Sequence, residues 1–289
     1  MSALLAIVGV LGVSASAPVQ AVIAAPPLTI AFWRNGLATA VLAPIAVARH
    51  RDELRRLTAA DIRLSVLAGV MLAGHFGTWI TSLRLTSVAA STALVATSAA
   101  WVAVIERMRG GPVRREVVVG LIVSFAGVLL VSGVDFTIST TALLGDLLAL
   151  AGAVFAAVYT ITGAKARVRM STVTYTGLCY GVCASVLLVA AVIAGGPIVD
   201  LPGTAWLGII AVTIFAQFLG HTIFNHLLAV LSAQVVSLIL LLEVPGAALL
   251  AAVFLGQVPV LGVWIGLALV LGGLAIVVVG RSQRIGWAT

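Results

Sequence analysis

The feature that most constrains this chain is a series of apolar runs, each about 20 residues long, separated by short polar loops. An α-helix of that length crosses the hydrocarbon core of a bilayer. The 289-residue sequence is 62% hydrophobic and 9% charged, whereas soluble domains carry roughly 25% charged residues. The chain therefore lacks the polar surface of a water-soluble fold, and the sequence predicts an all-α integral membrane protein.

Ten apolar runs can be marked, five in each half of the chain. They are Leu4–Ile23, Leu28–Ala48, Leu64–Leu83, Val88–Ile105, Val117–Val134, Leu143–Gly163, Val173–Ala194, Thr204–Asn225, Leu231–Leu255 and Val260–Val279. We therefore expect ten transmembrane helices, arranged as one five-helix repeat in residues 1–139 and a second in residues 140–289.

Basic residues are concentrated in the loops that follow even-numbered runs. Fourteen of the sixteen Lys and Arg residues lie there: Arg49, Arg51, Arg55, Arg56, Arg63, Arg107, Arg109, Arg114, Arg115, Lys165, Arg167, Arg169, Arg281 and Arg284. The opposite side carries Asp135, Asp200 and Arg84. This asymmetry predicts a multi-pass protein of the plasma (inner) membrane with both termini in the cytoplasm. Because the net charge of +7 comes from separate loops, no nucleic-acid partner is expected.

The two halves share short patterns at a constant offset. Gly74-His75 recurs as Gly220-His221, 146 positions later, and the glycines at 120 and 127 recur at 266 and 273. Because each half has an odd number of runs, the two halves would cross the membrane in opposite orientations. Inverted repeats of this kind are typical of secondary transporters, whose sites lie between the repeats near the bilayer midplane.

Three stretches resemble a known family. HFGTWITSLRLTSVAASTALVATSAAWVAVI and GHTIFNHLLAVLSAQVVSLILLLEVPGAALLAAVFLGQVP resemble the paired half-signatures of EamA-type transporters of the drug/metabolite transporter superfamily. AFWRNGLATAVLAP, which contains Arg34, resembles the second helix of that family. The chain departs from the family at Gln257, where a glutamate is usual, and at Ala99 or Ala100, where a proline is frequent. The resemblance implies a ten-helix secondary transporter that exports small metabolites, such as amino acids or related amphipathic compounds.

Glu243 is the first candidate for a functional residue. Its carboxyl group has about ten apolar neighbours on either side, and a carboxylate at membrane depth costs several kcal/mol unless it faces a cavity or a partner. Glu243 could bind a cationic group, take up and release a proton, or pair internally to hold helices together. His75 and His221 are further candidates for proton coupling, since histidine titrates near neutral pH; the alternative is two hydrogen-bonded packing histidines.

Aromatic and hydroxyl side chains complete a predicted substrate cavity, because small organic ligands bind where apolar walls carry a few polar groups. Thr97 and Ser98 correspond in the first half to Glu243 in the second. The predicted cavity residues are His75, Trp79, Thr97, Ser98, Trp101, Tyr159, His221, Asn225 and Glu243. Helix packing remains the alternative for each of the aromatic and hydroxyl residues.

Four other residues receive structural interpretations. Arg34 is expected to extend to the membrane interface or to meet a substrate carboxylate, and Asp146 is expected to cap a helix N-terminus. Cys179 and Cys183 are expected to be small buried hydrophobes. We expect no catalytic residues, metal site or cofactor.

The leading functional hypothesis is alternating-access transport of a small-molecule substrate in contact with membrane lipid. The sequence has no phosphate-binding Gly-Lys-Ser/Thr loop, which argues against ATP use, and no HExxH or GxSxG motif, so we expect that it is not an enzyme. An intramembrane enzyme acting on lipid or lipid-linked substrates, and a passive channel, are the alternatives. A homodimer is an alternative to a monomer, since Gly262, Gly266 and Gly273 could pack within or between subunits.

Overall fold

The computed structural model describes residues 2–110, 115–133, 139–256 and 260–285. Arg114, Asp135 and Gln257 lie outside these ranges. Within them the chain forms helices and turns, with no β-strand. This confirms the predicted all-α class.

The helices of the first half are α1 (Ser2–Ser14), α2 (Ser16–Val22), α3 (Pro27–Arg49), α4 (Arg51–Arg55), α5 (Ala59–Ser82), α6 (Val88–Ala96), α7 (Ser98–Met108) and α8 (Arg115–Gly133). Those of the second half are α9 (Thr140–Ala166), α10 (Thr172–Ile193), α11 (Gly203–Val212), a π-helical segment (Thr213–Thr222), α12 (Ile223–Leu227), α13 (Ala233–Leu240), α14 (Glu243–Leu255) and α15 (Leu261–Ile285).

Eight helical stretches in the described ranges are long and apolar enough to cross a membrane. They are Ser2–Val22, Pro27–Arg49, Ala59–Ser82, Val88–Met108, Thr140–Ala166, Thr172–Ile193, Gly203–Leu227 and Ala233–Phe254. They correspond to the first four runs of each half. The fifth and tenth runs correspond to α8 and α15, and α15 contains a shorter apolar stretch, Leu261–Gly273. A multi-pass membrane protein is therefore confirmed.

Two of the spans are interrupted at matching places in the two halves. The first break lies at Thr97, whose hydroxyl donates 2.7 Å to the Leu94 carbonyl and so competes with the regular helix bonds. The second lies at 241–242, where Leu241 N–H and Leu242 N–H bond carbonyls three residues back, the pattern of a 3₁₀ turn. Ser98 and Glu243 are the first residues of the half-helices that follow.

The segment Thr213–Thr222 is π-helical, which distinguishes the second half from the first, where α5 is regular throughout. The Thr222 hydroxyl donates 2.9 Å to the Gln217 carbonyl five residues earlier. π-Helical turns are rare and occur frequently at functional sites. This segment carries Gln217 and His221 into the interior of the protein.

Helices α8 and α15 pack with their backbones in direct contact. A Cβ atom added at Gly127 would collide with the Gly266 carbonyl, and one added at Gly273 would collide with the Gly120 carbonyl. Ser124 Oγ donates 3.3 Å to the carbonyl of Val270, which is 146 residues away. Ser124 therefore meets the residue at its own equivalent position, and the Gly127–Gly266 contact has its counterpart in the Gly273–Gly120 contact.

The main apolar core lies between α3, α5, α9 and α10. Phe76 and Trp79 of α5 and Tyr175 and Tyr180 of α10 are its largest buried aromatic side chains. This core holds α5 and α9 in position on one side of the candidate site.

The prediction that Asp146 caps a helix is wrong. Helix α9 begins at Thr140, and the Ser139 hydroxyl accepts the Ala142 N–H at 3.0 Å as the cap. Asp146 lies in the second turn, where its Oδ1 atom is buried without a hydrogen-bond partner. The apolar run was predicted to begin three residues too late.

Candidate functional site

A cavity of about 50 Å³ lies among α5, the two interrupted spans, α9 and the π segment with α12. Its wall consists of His75, Trp79, Val95, Ala96, Ser98, Ala156, Tyr159, Thr160, His221, Phe224, Asn225, Leu228, Val236, Leu240 and Glu243. A cavity of this size has room for a few water molecules.

All of the predicted cavity residues line this space except Thr97 and Trp101. Thr97 is buried behind it and forms the break before α7. The Trp101 side chain is 40% exposed, so it faces away from the interior. Thr160, which lines the cavity beside Tyr159, was not predicted because threonine is common in membrane helices.

His75 forms one wall with Trp79. The two rings stack with centroids 5.5 Å apart and an interplanar angle of 10°. His75 Nδ1 lies 3.0 Å from the Gly152 carbonyl oxygen, and because a carbonyl only accepts hydrogen bonds, Nδ1 is the protonated nitrogen. The Trp79 indole N–H is buried without a partner.

His221 lies opposite His75, with ring centroids 6.3 Å apart. Tyr159 is the aromatic neighbour on the other side, with its ring centroid 6.4 Å from that of His221. The two histidines that are equivalent in sequence therefore meet across the cavity.

Asn225 forms hydrogen bonds with two tyrosines at the cavity wall. The Tyr159 hydroxyl donates 2.8 Å to Asn225 Oδ1, and Asn225 Nδ2 donates 3.1 Å to the Tyr180 hydroxyl. Tyr180 also bonds the Thr222 hydroxyl at 3.2 Å. Asn225 itself is buried.

Glu243 is the only acidic residue among those that line the cavity. As the first residue of α14 it lies at a helix N-terminus, where the helix dipole favours an anion. The ion pairs among the described residues, His50–Glu53 and Asp61–Arg169, do not include it. Ser98, the first residue of α7, lines the same cavity. Both interrupted spans thus place the start of a half-helix at the cavity.

The expectation that Arg34 extends to the interface is wrong, because its side chain is 0% exposed. Arg34 Nε donates 2.9 Å to Gln217 Oε1, and Nη1 donates 3.1 Å to Gln20 Oε1 and 3.4 Å to Ser16 Oγ. Gln217 Nε2 in turn donates 3.0 Å to Asn35 Oδ1. Neutral acceptors therefore surround the guanidinium group of Arg34 inside the membrane span.

The Arg34 cluster lies directly behind the cavity wall. The Arg34 guanidinium carbon is 4.1 Å from the Phe76 ring centroid, and the Phe76 ring meets His221 edge to face at 5.0 Å. One guanidinium nitrogen, Nη2, is buried without a partner. Arg34 and Glu243 are close enough to attract one another through the protein. The sequence signal for this cluster was the presence of two glutamines and an asparagine within apolar runs.

Arg167 contacts Asn225 from outside the residues that line the cavity. Its Nε donates 2.9 Å to the Asn225 carbonyl, and its two terminal nitrogens donate to the Met170 carbonyl and, at 2.9 Å, to the Thr172 hydroxyl. Burial lowers the pKa of the guanidinium group, which still leaves an arginine charged at neutral pH. The carboxylate of Glu53 in α4 accepts the Ser171 N–H at 2.6 Å. The loop between α9 and α10 is therefore also bonded to α4.

Comparison of the sequence with protein-family models identifies the family to which the chain belongs. The model of the EamA-like transporter family matches residues 1–133 and 143–279. The chain belongs to the EamA-like transporter family. Apart from Val134, the two matched ranges contain the first five and the last five apolar runs. The resemblance seen in the sequence is confirmed. The chain is therefore related to membrane transporters, and the cavity lies between two repeats of one family.

Two further comparisons give one relative in sequence and one in fold. An "Uncharacterized transporter YxxF" of Bacillus subtilis (strain 168) is 29% identical to this EamA-like chain over 166 residues, which are 57% of this chain and 52% of that protein. The match thus spans about half the length of the relative. One crystal structure of a protein aligns with a TM-score of 0.76 over 98% of both chains at 21% identity. That likeness shows a shared fold.

Proposed function

We propose that this chain is a secondary transporter of the plasma (inner) membrane that exports small amphipathic metabolites, with amino acids or related compounds as cargo. The observation that carries the proposal is the buried cavity to which both family-matched ranges contribute. His75, Trp79 and Ser98 come from the first range, and His221 and Glu243 come from the second. A site shared by two repeats is the arrangement that alternating access requires.

Two sets of contacts support an inverted arrangement of the repeats and, with α8 and α15 counted, ten spans. His75 and His221 lie near one another although they are 146 residues apart. At the contact of α8 and α15, Gly127 meets Gly266, and Gly273 meets Gly120. Reciprocal contacts of this kind are what a two-fold axis produces.

The basic loops support the proposed topology, with both termini in the cytoplasm. In that orientation the Arg167 contacts would close the cytoplasmic end of the cavity. An exporter would load its substrate after the Arg167 contacts open and release it on the opposite side.

The chemistry of the cavity favours a ligand with an amino group and an apolar part. Glu243 would pair with the amino group in a site of low dielectric constant. The stacked His75 and Trp79 rings would contact the apolar part, and the free Trp79 N–H would donate to an acceptor on the substrate. Glu243 also suits a coupling role, because a carboxyl at membrane depth can exchange a proton for a cationic group.

The test is counterflow in liposomes containing the purified protein. Vesicles preloaded with an unlabelled amino acid would be given the same radiolabelled compound outside, using one aliphatic, one aromatic and one basic amino acid in turn. We expect transient, saturable accumulation of at least one of them, lost in Glu243→Gln. Glu106→Gln is the matched control, since Glu106 does not line the cavity.

Three outcomes would contradict the proposal in different ways. Non-saturable flux of every solute would indicate a passive channel. Chemical conversion of the vesicle lipid without flux would indicate an intramembrane enzyme. Equal counterflow in Glu243→Gln and the native protein would leave transport standing and remove Glu243 from the site.

A further inference from the structure

A second concave surface lies outside the cavity, on the lipid-facing side of α7 and α8. It has a volume of about 440 Å³ and is lined by Ala100, Ala103, Val104, Arg107, Met108, Val118, Leu121 and Ile122. Val104, Met108, Val118 and Ile122 are exposed. In a membrane-spanning protein, side chains exposed on such a face contact lipid. We call this surface the α7–α8 groove.

Arg107 is the one charged residue among those that line the groove. It lies in the last turn of α7, where the span reaches the polar interface. Its neighbour Glu106 does not line the groove and interacts electrostatically with Arg109. The ion pairs among the described residues do not include Arg107. A cation without an acidic partner therefore stands at the end of an apolar groove.

The length of the groove matches one leaflet of a bilayer. Its residues on α7 run from position 100 to position 108, which is about 12 Å along a helix. Half of a hydrocarbon core is about 15 Å thick. An acyl chain lying in the groove would therefore bring its headgroup to the level of Arg107.

We propose that the α7–α8 groove binds an anionic phospholipid, with one acyl chain in the groove and the headgroup phosphate paired with Arg107. Arginine matches the geometry of phosphate through two parallel N–H donors. A zwitterionic lipid would place a compensating cation beside Arg107 and would gain less. The site is separate from the cavity and does not depend on the transported substrate.

Native mass spectrometry of the detergent-purified protein tests the proposal. Dioleoyl phosphatidylglycerol and dioleoyl phosphatidylcholine, which have the same acyl chains, would be titrated separately. We expect the native protein to retain phosphatidylglycerol preferentially, and Arg107→Gln to lose that preference by about fivefold in binding constant, the effect of one basic residue near a membrane surface. Arg107→Lys, which keeps the charge but lacks the two parallel donors, is expected to show an intermediate preference.

Arg109→Gln is the matched control, because Arg109 is exposed two positions away but does not line the groove. An equal loss in Arg109→Gln and Arg107→Gln would show a diffuse charge effect and overturn the proposal. Ala100→Leu would partly fill the groove and should weaken both lipids alike. Unchanged lipid binding in Ala100→Leu, or a dimer that excludes lipid from the groove, would also overturn it. Each variant would first be checked for native-like thermal unfolding.

Discussion

The Tyr159 hydroxyl donates a 2.8 Å hydrogen bond to Oδ1 of Asn225, which is 66 residues away. This bond joins α9 to α12 at the wall of the cavity. The Asn225 side chain also bonds Tyr180 of α10, and its backbone carbonyl accepts from Arg167. Asn225 therefore links α9 and α10 through its amide and the loop between them through its backbone. The position of this end of the cavity therefore depends on a few polar contacts among apolar helices.

Removing the Tyr159 hydroxyl should destabilise the protein. Tyr159→Phe leaves the buried Asn225 Oδ1 without its donor, and an unsatisfied buried acceptor costs about 1–3 kcal/mol. Thermal unfolding in detergent measures the change. Trp101→Phe, on the exposed face, should leave the midpoint unchanged; an unchanged midpoint in Tyr159→Phe as well would show that the bond contributes nothing.

Gln217→Leu should destabilise the protein because it removes an acceptor from the buried Arg34. Hydrogen bonds to charged groups contribute about 1.5–3 kcal/mol. In the double variant Arg34→Leu/Gln217→Leu the loss should be smaller than the sum of the single losses, because neither partner is left unsatisfied. Strictly additive losses in this double-mutant cycle would mean that the two side chains do not depend on one another.

Adjacent glycines of α15 should respond oppositely to alanine. Gly273→Ala places a methyl group against the Gly120 carbonyl, whereas a Cβ at Gly272 meets nothing within 4 Å. Overpacking costs about 1–3 kcal/mol, while Gly272→Ala should be neutral or gain up to about 1 kcal/mol of helix propensity. Equal effects of the two substitutions on thermal unfolding would contradict the close packing of α8 and α15.

Arg167→Met should open one end of the cavity. Three hydrogen bonds of its guanidinium group are lost, and a loss of about 1.5 kcal/mol would raise the open population about tenfold. The labelling rate of a Ser98→Cys reporter with a hydrophilic thiol reagent measures this opening. Arg169→Met is the control, since the Arg169 side chain is 61% exposed and the Asp61 carboxylate that it meets at 3.6 Å is already held by Thr58. The same labelling rate in both variants would show that the Arg167 contacts do not keep this end of the cavity closed.

The sequence predicted the membrane class and the approximate positions of the spans because each apolar run must satisfy its own backbone as a helix. Seven of the nine residues predicted for a cavity lie in its wall of fifteen residues, and Glu243 and the repeated Gly-His pairs stand out in the sequence because their surroundings are apolar. The opposite placements of Trp79 and Trp101 could not be predicted, because the face of each run that meets another helix is determined by tertiary packing. The π segment also has no local sequence signal, and it determines where Gln217 and His221 point.

Arg34 was misplaced for a different reason. When only the run Leu28–Ala48 is considered, Arg34 lies in the second turn of a helix, and an arginine there is expected to reach the membrane interface. Its acceptors lie on other helices, at Ser16, Gln20 and Gln217. A cluster assembled from three separate spans is visible only once the tertiary packing is known.

The bond between Arg34 and Gln217 also has a consequence for biosynthesis. The two residues are 183 positions apart, and at 5–20 residues per second a ribosome needs roughly ten to forty seconds to make that length of chain. During this interval Arg34 has only the acceptors that precede it, Ser16 and Gln20. The first two spans are therefore expected to enter the membrane as a hairpin, in which these two side chains hold the arginine until the second half of the chain arrives.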